Sequence, residues 1–433
     1  MAQQSPTLIV NRKVPARAAA LISFGCLLAV LAFVATAQAQ TFNVLYTLNG
    51  TNGGNFPNNG LVSDRQGNLY GAAEGGLENC GGGSCGIVFK LSRRGSGWIY
   101  TVLYYFTGLS DGVNVMAPLT IGPDGAVYGV TSRGGNNGCF NGCGIVFRLS
   151  PPPNICPTIS CEWRKTTLYE FTGGADGQYP LGQLTFDQAG NLYGTTYTAA
   201  IGNPYYGSVF EMSPSAGGWT FKVLYDFLGG SSGNPLSGVV FDHQGNLWGY
   251  QNYGGANDCG GVGNQCGSIY KLSPSPSGWT ESNEFAFSAH IGGGPSGNML
   301  ADQSGNFYGT VITDGPYGGG GVFQFVPSSG EFHLIYAVTG RPVDNQGPSG
   351  GVVMDAGGNL YSADLEGGSN PCGGLGCGFA FELSPENGGW HFTNLHNFTG
   401  GSDGAFPVGP LALDAQDNVY GADLRNVIFQ ITP

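Results

Sequence analysis

Charge is scarce in this sequence. Only 10% of its 433 residues are charged, and 15 Lys and Arg are outnumbered by 28 Asp and Glu, giving a formal charge of −13. So little basic surface excludes nucleic acid and anionic membrane as partners, because both are held through positive charge. Histidine is rarer still. His243, His290, His333, His391 and His396 neither recur at a fixed spacing nor cluster along the chain. There is no G-x-S-x-G, no H-E-x-x-H and no phosphate loop, since the Gly-Gly runs lack the Lys that follows one. Long apolar runs are missing too, apart from Ala18 to Ala35, so no transmembrane helix is expected after that stretch.

The first 39 residues stand apart. Arg12, Lys13 and Arg17 precede the apolar stretch, and Ala37-Gln38-Ala39 forms a small-residue cleavage site before Gln40. This is the grammar of a secretory signal over residues 1–39, with residues 40–433 as one mature domain. Cys26 lies inside the apolar core before Leu27 and Leu28, which is not a lipid-attachment pattern. Losing those three positive charges takes −13 to about −16. Such a surface suits solubility, and cations or neutral sugars as ligands. The expected location is secreted, periplasmic or at the cell surface.

Glycine is in excess, with 79 residues, beside 12% aromatics. A repeat gives that composition order. Asp187 to Gly194 reads D-x-x-G-N-L-Y-G, and the pattern returns around seven anchors: Tyr70, Tyr128, Tyr193, Trp248, Tyr308, Tyr361 and Tyr420. Asp stands six residues before the anchor in every unit but one, where Gly122 replaces it. Each unit carries four β-type runs, for example Leu184-Thr185-Phe186, Asn191-Leu192-Tyr193, Ser208 to Met212 and Trp219 to Tyr225. The third run alternates strictly. Its aromatic (Phe89, Phe147, Phe210, Tyr270, Phe323, Phe381, Phe429) is followed by a polar and then an apolar residue, which predicts one strongly buried face.

Four strands in each of seven units predict an all-β fold, a single seven-bladed β-propeller of antiparallel blades. The chain stops after a third strand, Val427 to Thr432, whereas Phe42 to Leu48 matches the fourth-strand pattern of Val102 to Phe106. The N-terminal strand is therefore expected to close the last blade.

Ten cysteines of the mature chain fall into close pairs: Cys80 with Cys85, Cys139 with Cys143, Cys156 with Cys161, Cys259 with Cys266, and Cys372 with Cys377. An even count in a secreted chain predicts disulfides, and no pair sits at zinc-site spacing. Four pairs lie between the second and third strands, on the face shared with the blade-to-blade connections. The Cys156–Cys161 pair sits on the opposite, plainer face, in the insert Pro151 to Trp163. Loops presented on a rigid scaffold are where ligands bind, so binding is expected on the stapled face.

The repeated Asp and the anchor aromatics recur once per unit, which marks them as turn and packing residues rather than ligands. Asp111, Asp176 and Asp403, in T-G-x-x-D-G connections, also fit turn formation, although Asp and backbone carbonyls are the donors calcium prefers. Three residues after the anchor most units are uncharged, but the last two carry Asp364 and Asp423. Two carboxylates in adjacent blades can hold a cation or do acid–base work, so this pair is the leading candidate for a calcium site; solvated strand-end acids are the plain alternative. Tyr197, Tyr205, Tyr206, Tyr253 and Tyr317 lie outside the repeat grammar, in loops of the stapled face, and are candidates for ligand contact.

Tyr193-Gly194-Thr195-Thr196, Val209 to Pro214, Leu168 to Gly177 and Asp187 to Gly194 resemble the Gloeo/Verruco tandem repeat of secreted bacterial proteins. The resemblance spans essentially the whole mature chain and is weakest in the fifth unit. It implies an extracellular or surface location and carries no activity with it. Members often end in a sorting or anchoring segment, and the stop at Pro433 leads us to expect none here. The G-N-L-Y element is also similar to NHL and lactonase-type propellers. The leading expectation is a binding module for carbohydrate or a cell-surface protein. The alternatives are a carbohydrate- or lactone-active hydrolase or lyase using a divalent cation, and a structural envelope component.

Overall fold

The computed structural model describes residues 40–50, 53–75, 85–136, 138–152, 162–198, 206–229, 232–252, 254–256, 259, 265–339, 347–369 and 372–432. Residues 41–432 form seven antiparallel sheets, one per repeat unit. Blade 1, for example, runs Leu61–Ser63, Leu69–Ala73, Ile87–Arg94 and Gly97–Tyr105, in that order from the axis outward. In blade 3 the innermost strand is split into Gln178–Pro180 and Thr185–Phe186. Blade 7 takes Pro407–Leu413, Val419–Asp423 and Val427–Thr432 from the C-terminal end and its outer strand, Thr41–Thr47, from the N-terminal end. The pairing puts Val44 opposite Phe429 and Phe42 opposite Ile431. The closure predicted from the strand patterns is thus present.

The alternation of the third strands becomes burial. Ile145–Ser150 and Val427–Thr432 both run buried, buried, buried, half-buried, buried, half-buried. Seven apolar clusters are shared between neighbouring blades. One joins Leu61 and Leu69 of blade 1 to Ala412 and Tyr420 of blade 7, so the ring is closed by packing as well as by strand pairing.

The D-x-x-G-N turn proves to be a clamp on the anchor. Asp187 Oδ1 accepts the Asn191 amide, and Oδ2 accepts Asn191 Nδ2 at 2.7 Å and the Tyr193 hydroxyl at 3.2 Å. Trp248 does the same through Nε1, 2.9 Å from Asp242 Oδ2. In blade 2, where Gly122 replaces Asp, the job moves two residues along: Asp124 takes the Ala126 amide and the Tyr128 hydroxyl, both within 3.1 Å, and adds Arg148 at 2.6 Å. Burial and the Asp124 charge push the Tyr128 hydroxyl up to about 12, so it stays a donor. Asp124→Ala strands this tyrosine and Arg148 together, and should cost about 1–3 kcal/mol by urea unfolding. Adding Gly122→Asp should recover most of it by restoring the clamp of the other blades.

A second belt of contacts links the outer strands. Tyr46 stacks on Tyr100, Tyr169 on Phe221, Phe285 on Phe332, Tyr336 on Phe392 and His396 on Phe42, with ring centroids 3.8 to 4.7 Å apart. Each pair joins one blade to the next. Two joints break the rule. At the first, Lys165 takes the aromatic position beside Tyr104 and bonds Asp111 at 2.6 Å. At the second, Glu281 takes it, accepting Tyr225 at 3.0 Å and Ser232 at 2.7 Å; Ser232 stands where three other connections have Asp111, Asp176 and Asp403.

The disulfides Cys139–Cys143, Cys259–Cys266 and Cys372–Cys377 are formed, with Cα atoms 4.9 to 5.2 Å apart. Cys85 is also disulfide-bonded. Its expected partner Cys80, and the Cys156–Cys161 pair, lie outside the described residues.

Candidate functional site

The stapled face is organised by a joint that repeats at the start of six of the seven blades. Phe56, Asn114, Tyr179, Asn234, Gly294 and Phe406 each hold a left-handed backbone, φ +48° to +61°, and all but Asn114 are followed by Pro. A left-handed aromatic costs roughly 1–2 kcal/mol, so the joint must be fixed by something else. A hydrogen bond to the preceding blade supplies that. The amides of Asn114, Tyr179, Gly294 and Phe406 donate to the carbonyls of Cys85, Cys143, Cys266 and Cys377, at 2.8 to 3.2 Å. The disulfides therefore hold the acceptors onto which the next blade latches. Blade 3 has no cysteine pair, and Tyr206 provides the carbonyl for Asn234.

Two residues beyond the joint the chain reaches the axis, at Asn58, Met116, Leu181, Leu236 and Val408. All seven blades line an axial cavity of about 220 Å³. Met116, Leu181, Leu236 and Val408 make one part of its wall apolar, while Asn58, Asn59, Asn298 and Ser349 supply amides and a hydroxyl. No histidine or carboxylate is among the described lining residues. Asn58 Oδ1 is buried and accepts no hydrogen bond from the described residues.

Met116 and Leu181 also line a second cavity, of about 190 Å³, between blades 2 and 3 on the stapled face. Its other walls are Asn114, Ser132, Arg133, Tyr179 and Tyr197. Tyr197 ends the second strand of blade 3 half-buried, and Arg133 is exposed beside it.

The structure distributes the other candidate residues. Asp364 and Asp423 close the second strands of blades 6 and 7 and are buried, 1% and 0% exposed. Asp364 Oδ1 accepts the Glu366 amide at 3.2 Å. Asp423 Oδ1 accepts the amides of Arg425 and Val427 at 2.8 and 2.9 Å, and its carboxylate is packed directly beneath Gly404, where a Cβ would collide with it. Burial pushes the Asp423 carboxyl up to about 7, against the pull of the Val427, Arg425 and Ala405 amides, and the Asp403 charge adds to the rise. Among the described residues no group of three or more His, Cys, Asp or Glu is placed to hold a metal ion.

Asp111, Asp176 and Asp403 each cap their own connection. Asp176 takes the amide and hydroxyl of Thr172 and the Tyr169 hydroxyl, and Asp403 takes the Thr399 amide and His396 Nε2. Burial opposes ionisation of Asp403, but the Thr399 and His396 bonds win and hold its carboxyl below the usual range. Tyr206 packs over Gly229, Tyr317 is 60% exposed on its own turn, and Tyr205 and Tyr253 lie outside the described residues. Of the candidates, Tyr197 alone reaches the groove among the described residues. Sequence patterns alone missed Tyr179, Arg133, Asn58 and Met116. For Asn58 and Tyr179 the signal was the x-Pro step before the innermost strand, present in every blade but the second; Met116 and Arg133 carry no such signal.

The profile of the Gloeobacter/Verrucomicrobia repeat matches residues 30–262 and 260–430. No curated protein matches the chain. Among solved structures, a carbohydrate-active enzyme of family AA12 from Trichoderma reesei is 14% identical, covering 91% of this chain and 96% of its own, with a TM-score of 0.41. A putative glucose dehydrogenase from Thermus thermophilus is 15% identical over 74% and 97% of the two chains, TM-score 0.42. A protein of unknown function from Bacteroides thetaiotaomicron is 13% identical over 91% and 76%, TM-score 0.45. Likeness this distant says nothing of the chemistry here.

Proposed function

The chain belongs to the Gloeobacter/Verrucomicrobia repeat family, and from that premise we propose that it is a secreted binding module that takes a neutral carbohydrate at the axial mouth of the stapled face. The observation that carries this is the groove of Tyr179, Tyr197 and Arg133, which shares Met116 and Leu181 as walls with an axial cavity lined by amides. Tyrosine rings offer sugars a flat apolar face, and the asparagine amides of the axial wall can exchange hydrogen bonds with hydroxyls. The described axial lining is built of amides, a hydroxyl and apolar side chains, which suits binding of a neutral ligand. Secretion is supported by the disulfides and by the signal-like residues 1–39.

A neutral glycan array probed with residues 40–433, followed by calorimetry on the best ligand, tests the reading. Tyr197→Ala should weaken binding about tenfold, equivalent to about 1.4 kcal/mol. Met116→Trp, which plugs the step between groove and axis, should abolish it. An empty array, or a ligand indifferent to both substitutions, sinks the proposal.

A further inference from the structure

The plain face carries a cleft that the chain fills itself in one place and leaves open in another. Between blades 7 and 1, Tyr420 and Trp98 meet edge to face at 5.8 Å and 71°. Arg93, the cross-strand partner of Trp98, lies in that cleft. Its guanidinium sits 5.1 Å from the Trp98 ring, donates to the Tyr420 hydroxyl at 2.7 Å and lies 3.7 Å from Asp414. Between blades 5 and 6 the same parts recur. Tyr308 and Trp390 meet at 6.0 Å and 74°, and the Tyr308 hydroxyl donates to Asp302 as that of Tyr420 does to Asp414. Even the neighbouring third-strand residue matches, Gln324 for Gln430, and Gln324 Nε2 takes one lone pair of the Tyr308 hydroxyl at 2.8 Å.

The difference is Pro385. It pairs with Trp390 where Arg93 pairs with Trp98, and it cannot reach the tyrosine. A cavity of about 480 Å³ opens there, with Asp355 as a second carboxylate on its wall. Blade 2 repeats the lesson from the other side: Arg148 occupies the Tyr128 cleft, bonding that hydroxyl and Asp124. Twice, then, this scaffold satisfies a Tyr–Asp cleft with a guanidinium.

We infer that the open cleft between blades 5 and 6 is a docking site for an arginine side chain of a partner protein. The guanidinium sits over Trp390, beside the Tyr308 hydroxyl, and balances the charges of Asp302 and Asp355. Planar cation stacking on tryptophan and charge-assisted bonding to carboxylate favour arginine over lysine. Free arginine is disfavoured because its own carboxylate would enter beside two others. The acidic chain as a whole raises the encounter rate with basic partners. This site lies on the opposite face from the tyrosine groove and stands independently of it.

The probes are a glycine-flanked arginine peptide, the same peptide carrying citrulline, and free arginine, titrated against residues 40–433 by calorimetry. One arginine peptide should bind per chain, with the citrulline form and free arginine each at least tenfold weaker. Pro385→Arg, which copies Arg93 into the cleft, should abolish binding; Trp390→Ala does the same duty if that variant does not fold. Arg93→Ala should open the sister cleft and raise the stoichiometry from one to two. No binding at millimolar peptide overturns the inference. So does equal binding of citrulline, equal binding of free arginine, or arginine binding that survives Pro385→Arg as general attraction to an acidic surface.

Discussion

Deleting Thr41 to Leu48 should abolish cooperative folding of the mature domain or lower its denaturant midpoint drastically. These residues are the whole outer strand of blade 7, paired from Thr41 opposite Thr432 to Thr47 opposite Val427. With them go the stack of Phe42 on His396, the contact of Phe42 with Phe429 and the buried Leu48. Each such aromatic or aliphatic side chain contributes about 1.5–3 kcal/mol when fully buried. The deletion also bares the backbone edge of Val427–Thr432. The total loss is on the order of the whole 5–15 kcal/mol that holds a domain together. Chemical unfolding followed by tyrosine and tryptophan fluorescence checks it, and a synthetic Thr41–Leu48 peptide added in excess should restore part of the loss. A truncated protein with the intact midpoint refutes the closure argument.

The second large effect is a pH dependence of unusual sign. Asp423 is held neutral by burial, its carboxyl pushed from 3.8 to about 7, with Asp403 the neighbouring negative charge. In the unfolded chain it ionises near pH 4. Its contribution to stability is therefore present below about pH 4 and is lost as pH rises to about 7, beyond which the penalty stays constant. A rise of that size corresponds to at most about 4 kcal/mol. Asp423→Asn removes the titration. The stability of the variant relative to wild type should rise by up to about that amount between pH 4 and pH 8. Any constant offset from the new Nδ2 facing the Ala405 amide cancels in that difference. Urea midpoints at the two pH values give the answer, and parallel curves for the two proteins reject it. His396, beside Asp403, titrates at the same seam. Burial lowers its pKa against the pull of Asp403, so the comparison must be made as a difference between variants.

Some of this was legible in the sequence and some was not, for physical reasons. The anchors and the third-strand alternation are local patterns enforced by burial in every blade, and they fixed strand number, blade number and closure down to Val44 beside Phe429. The cysteine pairs could be read because they are close in sequence; their latch to the next blade could not, since it runs through a carbonyl. Asp364 and Asp423 do break the pattern of their position, but whether that position faces solvent depends on the connection folded over it, and Gly404 covers Asp423. The tyrosine groove draws Tyr197 from one part of the repeat and Tyr179 from another, and Arg133 from a different blade. Their meeting is set by φ angles that a residue pattern does not display.

The two odd joints of the outer belt have a consequence for how such a ring can grow. A blade whose outer strand carries the common aromatic pair can be copied next to another of its kind, because stacking is indifferent to which copy supplies the ring. Lys165 and Asp111, and Glu281 with Ser232, are not interchangeable in that way. A copy of blade 3, whose connection carries Ser232 instead of Asp, inserted between their members would leave Lys165, almost wholly enclosed, without its carboxylate, at a cost of about 3–5 kcal/mol. Those two joints act as addresses. They mark what kind of neighbour each blade needs: Lys165 a connection that carries Asp, and Glu281 one that carries Ser.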